Sequence, residues 1–216
     1  MYNYTETKEN DIEGIKTVLI GDSGVGKTSI IKQFTSNNFE EETNSTSGGQ
    51  YNSKKIKIKE IKKEIKLDIW DTAGQEIYHS LAKLFYKDAK IIIFVYDIAN
   101  SKSFENIQKY WYPQIKADSL KDAILVLVAN KNDLQYQQVN DKEVKSFADS
   151  IGAILYKTSA KSNSSVNVLF EIVGRIILDP NYDYKKAQYY EYNGIESASV
   201  KLNKNISKKK HKKNCC

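Results

Sequence analysis

Cysteine is absent from this 216-residue chain until its last two positions, Cys215 and Cys216. A disulfide framework is thereby excluded, and a reducing compartment is expected. No apolar run approaches the ~20 residues of a membrane-spanning helix. The opening MYNYTETKEN is polar and lacks a charged-then-apolar layout, so no secretory signal is expected. Arginine is almost absent as well: Arg175 is the only one. The net charge is +6, yet residues 201–216 hold seven lysines and no acid; without them 26 basic residues stand against 27 acidic ones. The body shows no basic face at the level of sequence. The positive excess belongs to the tail, and a nucleic-acid partner is not expected.

The hydrophobic fraction, 40%, and the length suit one domain with an appendage. IKTVLIG (15–21), AKIIIFVYD (89–97), AILVLVAN (123–130) and a short run in IGAILYKTSA read as strands buried on both faces. Residues 53–70 alternate Ile or Leu with Lys, Glu or Asp, the period of strands with one wet face, as in a hairpin at a sheet edge. Helical patterns cover the stretch after GDSGVGKT and residues 76–87, 101–118, 140–150 and 163–178. In the last, Val166, Leu169, Phe170, Val173 and Ile177 share one face. Alternating strands and helices predict an α/β fold, a mostly parallel sheet with helices on both sides, whose ligands bind at the carboxyl ends of the strands. From about Asp179 the pattern dissolves, and residues 179–216 read as a solvated, flexible tail; residues 1–11 read as a flexible leader to a domain at 12–178.

GDSGVGKT (21–28) joins a strand to a helix and matches G-x-x-x-x-G-K-[ST]. Its glycines let backbone N–H groups face one concavity, which with the helix N-terminus forms a nest for phosphate. Lys27 can bridge β- and γ-phosphates, and the Thr28 hydroxyl is a hard oxygen suited to Mg²⁺. NKND (130–133) follows an apolar strand. Asp133 can accept both N1–H and N2–H of guanine, which adenine cannot offer. TSAK (158–161) follows the last strand, where the Ala160 N–H can donate to guanine O6. WDTAGQE (70–76) follows another: Asp71 suits Mg²⁺, Gly74 allows close approach to a γ-phosphate, and Gln75 can orient an attacking water.

With these motifs in this order, residues 12–178 resemble the Rab family of the Ras superfamily, and YHSLA in the second switch resembles its early-endosomal branch. The resemblance implies the phosphate-loop small-GTPase fold with a six-stranded sheet. It implies a phosphate and nucleotide site of Ser23, Gly24, Val25, Gly26, Lys27, Thr28, Ser29 and Gly74, with Phe39 beside the base. Asn130, Lys131, Asp133, Ser159, Ala160 and Lys161 would read guanine. Thr28, Thr46 and Asp71 would hold Mg²⁺, and Lys27 and Gln75 would act in catalysis. Tyr51, Trp70 and Phe85 fall where Rabs place an effector-binding aromatic triad. The implied cofactors are GTP or GDP and Mg²⁺. The implied partners are an exchange factor, a GTPase-activating protein, a GDP-dissociation inhibitor and effectors, with the GTPase itself a monomer. The chain departs from the family at Ser47 and Gly49 in TSGGQY (46–51), at Ile77, and at Lys157.

The mechanism expected is slow. Arg175 falls in the last helix, away from the loops, so an arginine for the transition state must come from a partner, and Ser23 crowds the place where Gln75 works. Two other functions fit the motifs: a GTP-locked membrane scaffold that hardly hydrolyses, and a phosphate-loop ATPase. At the tail, His211, Cys215 and Cys216 are too few and too close for zinc. The terminal Cys-Cys is similar to the Rab prenylation signal, which implies geranylgeranyl groups on both thiols. Two lipid chains beside a basic run hold a membrane where one chain does not. The expected location is the cytoplasmic face of an intracellular membrane, endosomal by the branch, with a cytosolic pool.

Overall fold

The computed structural model describes residues 13–41, 46, 49–72, 85–118, 123–179 and 181–183. Six strands form one sheet: β1 (Gly14–Ile20), β2 (Gln50–Ile58), β3 (Lys63–Asp71), β4 (Ile91–Asp97), β5 (Ile124–Asn130) and β6 (Ile154–Lys157). Their spatial order is β2-β3-β1-β4-β5-β6. All neighbours are parallel except β2 and β3, an antiparallel hairpin with Tyr51 opposite Trp70 and Lys57 opposite Glu64. The edge hairpin read from alternation is therefore present, and its lysines suit an edge strand that must not recruit a second chain.

Successive residues of the central strands feed opposite faces of the sheet. Leu19, Ile93, Val95 and Val128 pack under α1 (Lys27–Ser36) and a C-terminal helix spanning Val166–Leu178. Between these two helices Phe34 stacks on Phe170, centroids 3.9 Å apart. Val18, Ile92, Phe94 and Leu127 pack against the other helices. Those are α2 (Ser101–Asn106), α3 (Tyr112–Asp118) and α4 (Asp141–Ile151), so the C-terminal helix is α5. Asn140 caps α4, its Oδ1 accepting from Lys142 N at 2.9 Å. The apolar stripe read on α5 is buried, with Ile177 only partly covered.

Two helices differ from their patterns. The last starts at Val166 rather than 163, because Asn163 and Ser165 take left-handed backbone with φ 55° and 58°. The pattern over 101–118 is broken by a π-helical turn, Ile107–Trp111. Residues at its two ends, Asn106 and Trp111, both reach the phosphate loop. Most of the helix expected at 76–87 falls outside the described residues, as do the leader 1–11 and the tail from 184 on. Among the described residues no helix is long and apolar enough to cross a membrane.

Candidate nucleotide site

The loops that leave β1, β5 and β6 at their carboxyl ends, with the connection from α1 to β2, meet around a cavity of about 420 Å³, a size suited to a small-molecule ligand. Ser23, Gly24, Gly26, Lys27, Thr28 and Ser29 line its floor. Gly26 has φ 95°, and a Cβ there would stand 2.4 Å from Asn130 Nδ2. Only glycine supplies both the left-handed turn and the room. Val25 is buried beneath the loop and contributes its carbonyl, which accepts from Asn130 Nδ2 at 2.8 Å.

Lys27 is 5% exposed. Its ammonium donates to the carbonyls of Gly21 and Asp22, each at 2.8 Å. Burial pulls it down to about 8, against the raising influence of Asp71 and then Asp22. A buried cation aimed at a phosphate nest gains most from an anionic ligand.

Three hard oxygens converge beside it. Thr28 Oγ1 donates to Asp71 Oδ2 at 2.5 Å and lies 2.8 Å from Thr46 Oγ1. Asp71 is 1% exposed, and its other oxygen, Oδ1, is buried without a partner among the described residues. Burial raises its carboxyl above the ordinary value; the Thr28 hydrogen bond, Lys27 and Thr46 oppose that rise. An orphaned buried carboxylate oxygen beside two hydroxyls fits a hard divalent cation such as Mg²⁺. Gly74 and Gln75 follow Asp71 but lie outside the described residues.

The base side is built by β5 and β6. Asn130 is 1% exposed and braces the site: it donates to Val25 O, and its Oδ1 accepts from Thr158 Oγ1 at 3.1 Å. Lys131, in left-handed backbone at φ 63°, pairs with Asp97 at 2.7 Å. Buried Ser159 donates to Asp133 Oδ1 at 2.5 Å and so orients the carboxylate that lines the cavity. Ala160 and Phe39 line it too. Lys161 meets Glu41 at 2.7 Å, an exposed ion pair that joins this loop to the segment after α1.

Sequence reasoning missed Glu40, Glu41 and Leu134 as lining residues; only the position of Leu134 directly after NKND could have signalled it. It also missed how the phosphate loop is held. Trp111 Nε1 donates to Asp22 Oδ1 at 2.8 Å, and Asn106 Nδ2 donates to Oδ2 at 2.7 Å. Residues five apart on an α-helix point about 140° away from each other. The π-helical turn between them brings both onto the side that faces Asp22.

The aromatic triad is contiguous. Tyr51 lies 5.3 Å from Trp70, and Trp70 lies 6.0 Å from Phe85, by ring centroids. Tyr51 is 51% exposed, its hydroxyl donating to Asp68 at 2.8 Å. A Cβ on Gly49 would stand 2.2 Å from the Phe85 ring. The unusual glycine in TSGGQY thus fits against this ring.

Residues 16–179 match the model of the Ras family. The chain is 38% identical over 170 residues to Ras-related protein Rab5A of Oryza sativa subsp. japonica, covering 78% of this chain and 82% of that one. It is 37% identical over 174 residues to human Ras-related protein Rab-31, covering 79% and 87%. It is 37% identical over 159 residues to Ras-related protein RabC of Dictyostelium discoideum, covering 73% and 81%. The chain belongs to the Rab family of small GTPases. Within that family it stands near the early-endosomal branch. As a Rab GTPase it is a GTP hydrolase of membrane trafficking, a binder of GTP, GDP and Mg²⁺.

Proposed function

We propose that this Rab GTPase is a slow switch, held on the cytoplasmic face of an endosomal membrane by geranylgeranyl groups on Cys215 and Cys216. The observation that carries the switch is the meeting of Thr28, Thr46 and Asp71. Thr28 belongs to the phosphate loop and Asp71 to the end of β3, whereas Thr46 comes from the long connection between α1 and β2. That connection is tied to the γ-phosphate end of the nucleotide through Thr46, so losing the γ-phosphate loosens it. Partners read the difference, and the triad of Tyr51, Trp70 and Phe85 is the adjoining surface for effectors.

In the reaction, a water oriented by Gln75 attacks the γ-phosphorus in line. The new P–O bond forms as the bond to the β–γ bridging oxygen breaks, and GDP leaves with that oxygen. Mg²⁺ held at Thr28, Thr46 and Asp71 would neutralise phosphate charge. Lys27 binds the β- and γ-oxygens, Asp133 and Ala160 select guanine, and Asn130 and Ser159 hold that loop in place. Arg175 pairs with Glu60 in the β2–β3 turn, at the far end of β3 from Asp71. The transition-state arginine therefore comes from an activating protein, which would add about 10³–10⁵ to the rate. An exchange factor and a GDP-dissociation inhibitor complete the cycle, with the GTPase a monomer and no nucleic acid involved.

The test is GTP turnover by the purified chain beside a Gln75→Leu variant, with GDP and ATP binding as controls. Slow turnover that the variant abolishes supports the switch. Tight GTP binding without turnover in either, unimproved by an activating protein, supports the GTP-locked scaffold instead.

A further inference from the structure

The lysines of β2 and β3 alternate with isoleucines and glutamates in sequence, which hides them. Folding gathers them. Residues 53–66 contain seven lysines against Glu60 and Glu64. Lys54 turns inward, its ammonium bonded to the Phe34 carbonyl and lying over the Phe34 ring. Lys55, Lys57, Lys59, Lys62 and Lys63 are exposed around the hairpin tip, with Ile61 partly exposed among them. The two acids there are engaged: Glu64 pairs with Lys57 at 3.7 Å and Glu60 with Arg175 at 3.9 Å.

The same end of the molecule is where the tail begins. Asp179 N donates to Arg175 O at 2.8 Å, and Tyr182 N donates to Asp179 O at 2.9 Å. The Tyr182 ring lies over the Arg175 guanidinium, 4.2 Å to its centroid, and packs against the core. So Arg175, the sole arginine, joins the hairpin turn on one side to the first turn of the tail on the other. The nucleotide cavity sits at the carboxyl ends of the strands, and the tip precedes β3, one strand length or about 26 Å away.

We propose that the β2–β3 tip is a second contact with the anionic leaflet, placed beside the lipidated tail by the Glu60–Arg175–Tyr182 cluster. The proposal rests on the membrane-anchored reading of the tail. The occupant is an anionic lipid surface. Exposed lysines that ring a partly exposed isoleucine match a negative, interfacial plane, and residues 179–183, which lead into the tail, lie at this pole. A surface engaged here leaves the cavity and the bound nucleotide facing away from lipid.

The experiment uses the full chain without lipid, loaded with GDP. It is sedimented with phosphatidylcholine vesicles, alone or with roughly 30 mol% phosphatidylserine, an anionic lipid of the cytoplasmic leaflet. One variant carries Lys55, Lys57, Lys59 and Lys62→Gln, and a second carries Lys208, Lys209, Lys210, Lys212 and Lys213→Gln. The hairpin variant should bind anionic vesicles about tenfold more weakly than the parent, each charge counting for less than its full value in salt. Retained binding in that variant, together with loss in the tail variant, would overturn the proposal and leave the lysines as edge protection. Binding unaffected by the tail variant would instead sink the basic-anchor reading, whatever the hairpin does. A hairpin variant that keeps vesicles but loses a duplex oligonucleotide would reassign the lysines to nucleic acid and overturn the proposal too. Position is checked in a chain with Cys215→Ser and Cys216→Ser, labelled with an environment-sensitive dye at Ile61→Cys or Tyr136→Cys. Vesicles should shift the emission at 61 and not at 136, which lies in the loop after β5; equal shifts would contradict the geometry.

Discussion

Trp111 Nε1 donates a 2.8 Å hydrogen bond to Asp22 Oδ1, tying a helix to the phosphate loop across 89 positions of chain. Asn106 completes the grip on the other carboxylate oxygen. The Asp22 backbone carbonyl in turn accepts from Lys27, so the grip fixes a residue that touches the phosphate-binding cation. In Trp111→Phe the ring remains but the donor is lost. A partly buried carboxylate oxygen without its partner costs about 1–3 kcal/mol, and Asp22 is then held by Asn106 alone. GDP should leave about tenfold faster, read by release of a fluorescent analogue. Asp22→Ala should cost less in the Trp111→Phe background, where only the Asn106 bond remains to be lost, than in the parent, with a coupling energy of about 1–2 kcal/mol in a double-mutant cycle. Strictly additive effects would mean that the bond does not steady the loop.

Asp133, oriented by Ser159, decides the base. Asp133→Asn exchanges one acceptor for a donor. Guanine then meets a donor with its own N2–H₂, whereas xanthine offers a carbonyl at that position. GTP affinity should fall on the order of 10²–10⁴, and xanthosine triphosphate should bind the variant better than GTP. Competition binding with both nucleotides reads this directly; unchanged preference for GTP would move base recognition away from Asp133.

Much of this was written in local pattern. The apolar runs gave β4 and β5, the alternation gave the β2–β3 hairpin, and GDSGVGKT, NKND and TSAK fall around one cavity because each follows a strand whose carboxyl end faces it, with Asp71 of the fourth motif bonded to Thr28. The interactions that reach across the chain were not legible. Nothing near Asp22 in sequence announces Asn106 and Trp111, or the π-helical turn that brings both to it. That Asn130, which lines the cavity, also braces Val25 and Thr158 could not be read from NKND. The basic hairpin escaped notice because charge summed along a chain averages what folding concentrates. The fit of Gly49 against the Phe85 ring is likewise invisible in sequence.

The floor of the site should make nucleotide retention depend on Mg²⁺. Asp71 keeps one oxygen bonded to Thr28 and one without a partner among the described residues. Chelating Mg²⁺ leaves that carboxylate facing phosphate charge, and GDP release should quicken about 10–100-fold, the usual scale for losing a supporting group at a metal site. Thr28→Ala should release GDP fast with or without Mg²⁺, because the metal loses a ligand and Asp71 loses its donor. A Thr28→Ala variant whose release still slows normally on adding Mg²⁺ would remove Thr28 from the metal shell. Thr28→Ser, which keeps the hydroxyl, should restore the dependence.

At the opposite pole, Glu171 tests the cluster that joins hairpin to tail. Burial first, and the neighbouring Glu60 second, raise its carboxyl above the ordinary 4.5; Lys59 and Arg175 pull the other way. A carboxyl whose folded value lies above its unfolded one stabilises the fold below the unfolded value. That contribution is lost as pH rises through the folded value. At neutral pH the ionised Glu171 is therefore a mild liability, reduced further by its partial exposure to solvent. Glu171→Gln should melt at the same temperature as the parent near pH 4 and about 1–2 °C higher at pH 7. The gap should open as pH climbs above 4.5. Adding Glu60→Gln should shrink the gap, since the like charge that helps raise Glu171 is gone, although Arg175 then loses its partner. A gap of constant size from pH 4 to 7 would trace the effect to packing on α5 and not to charge.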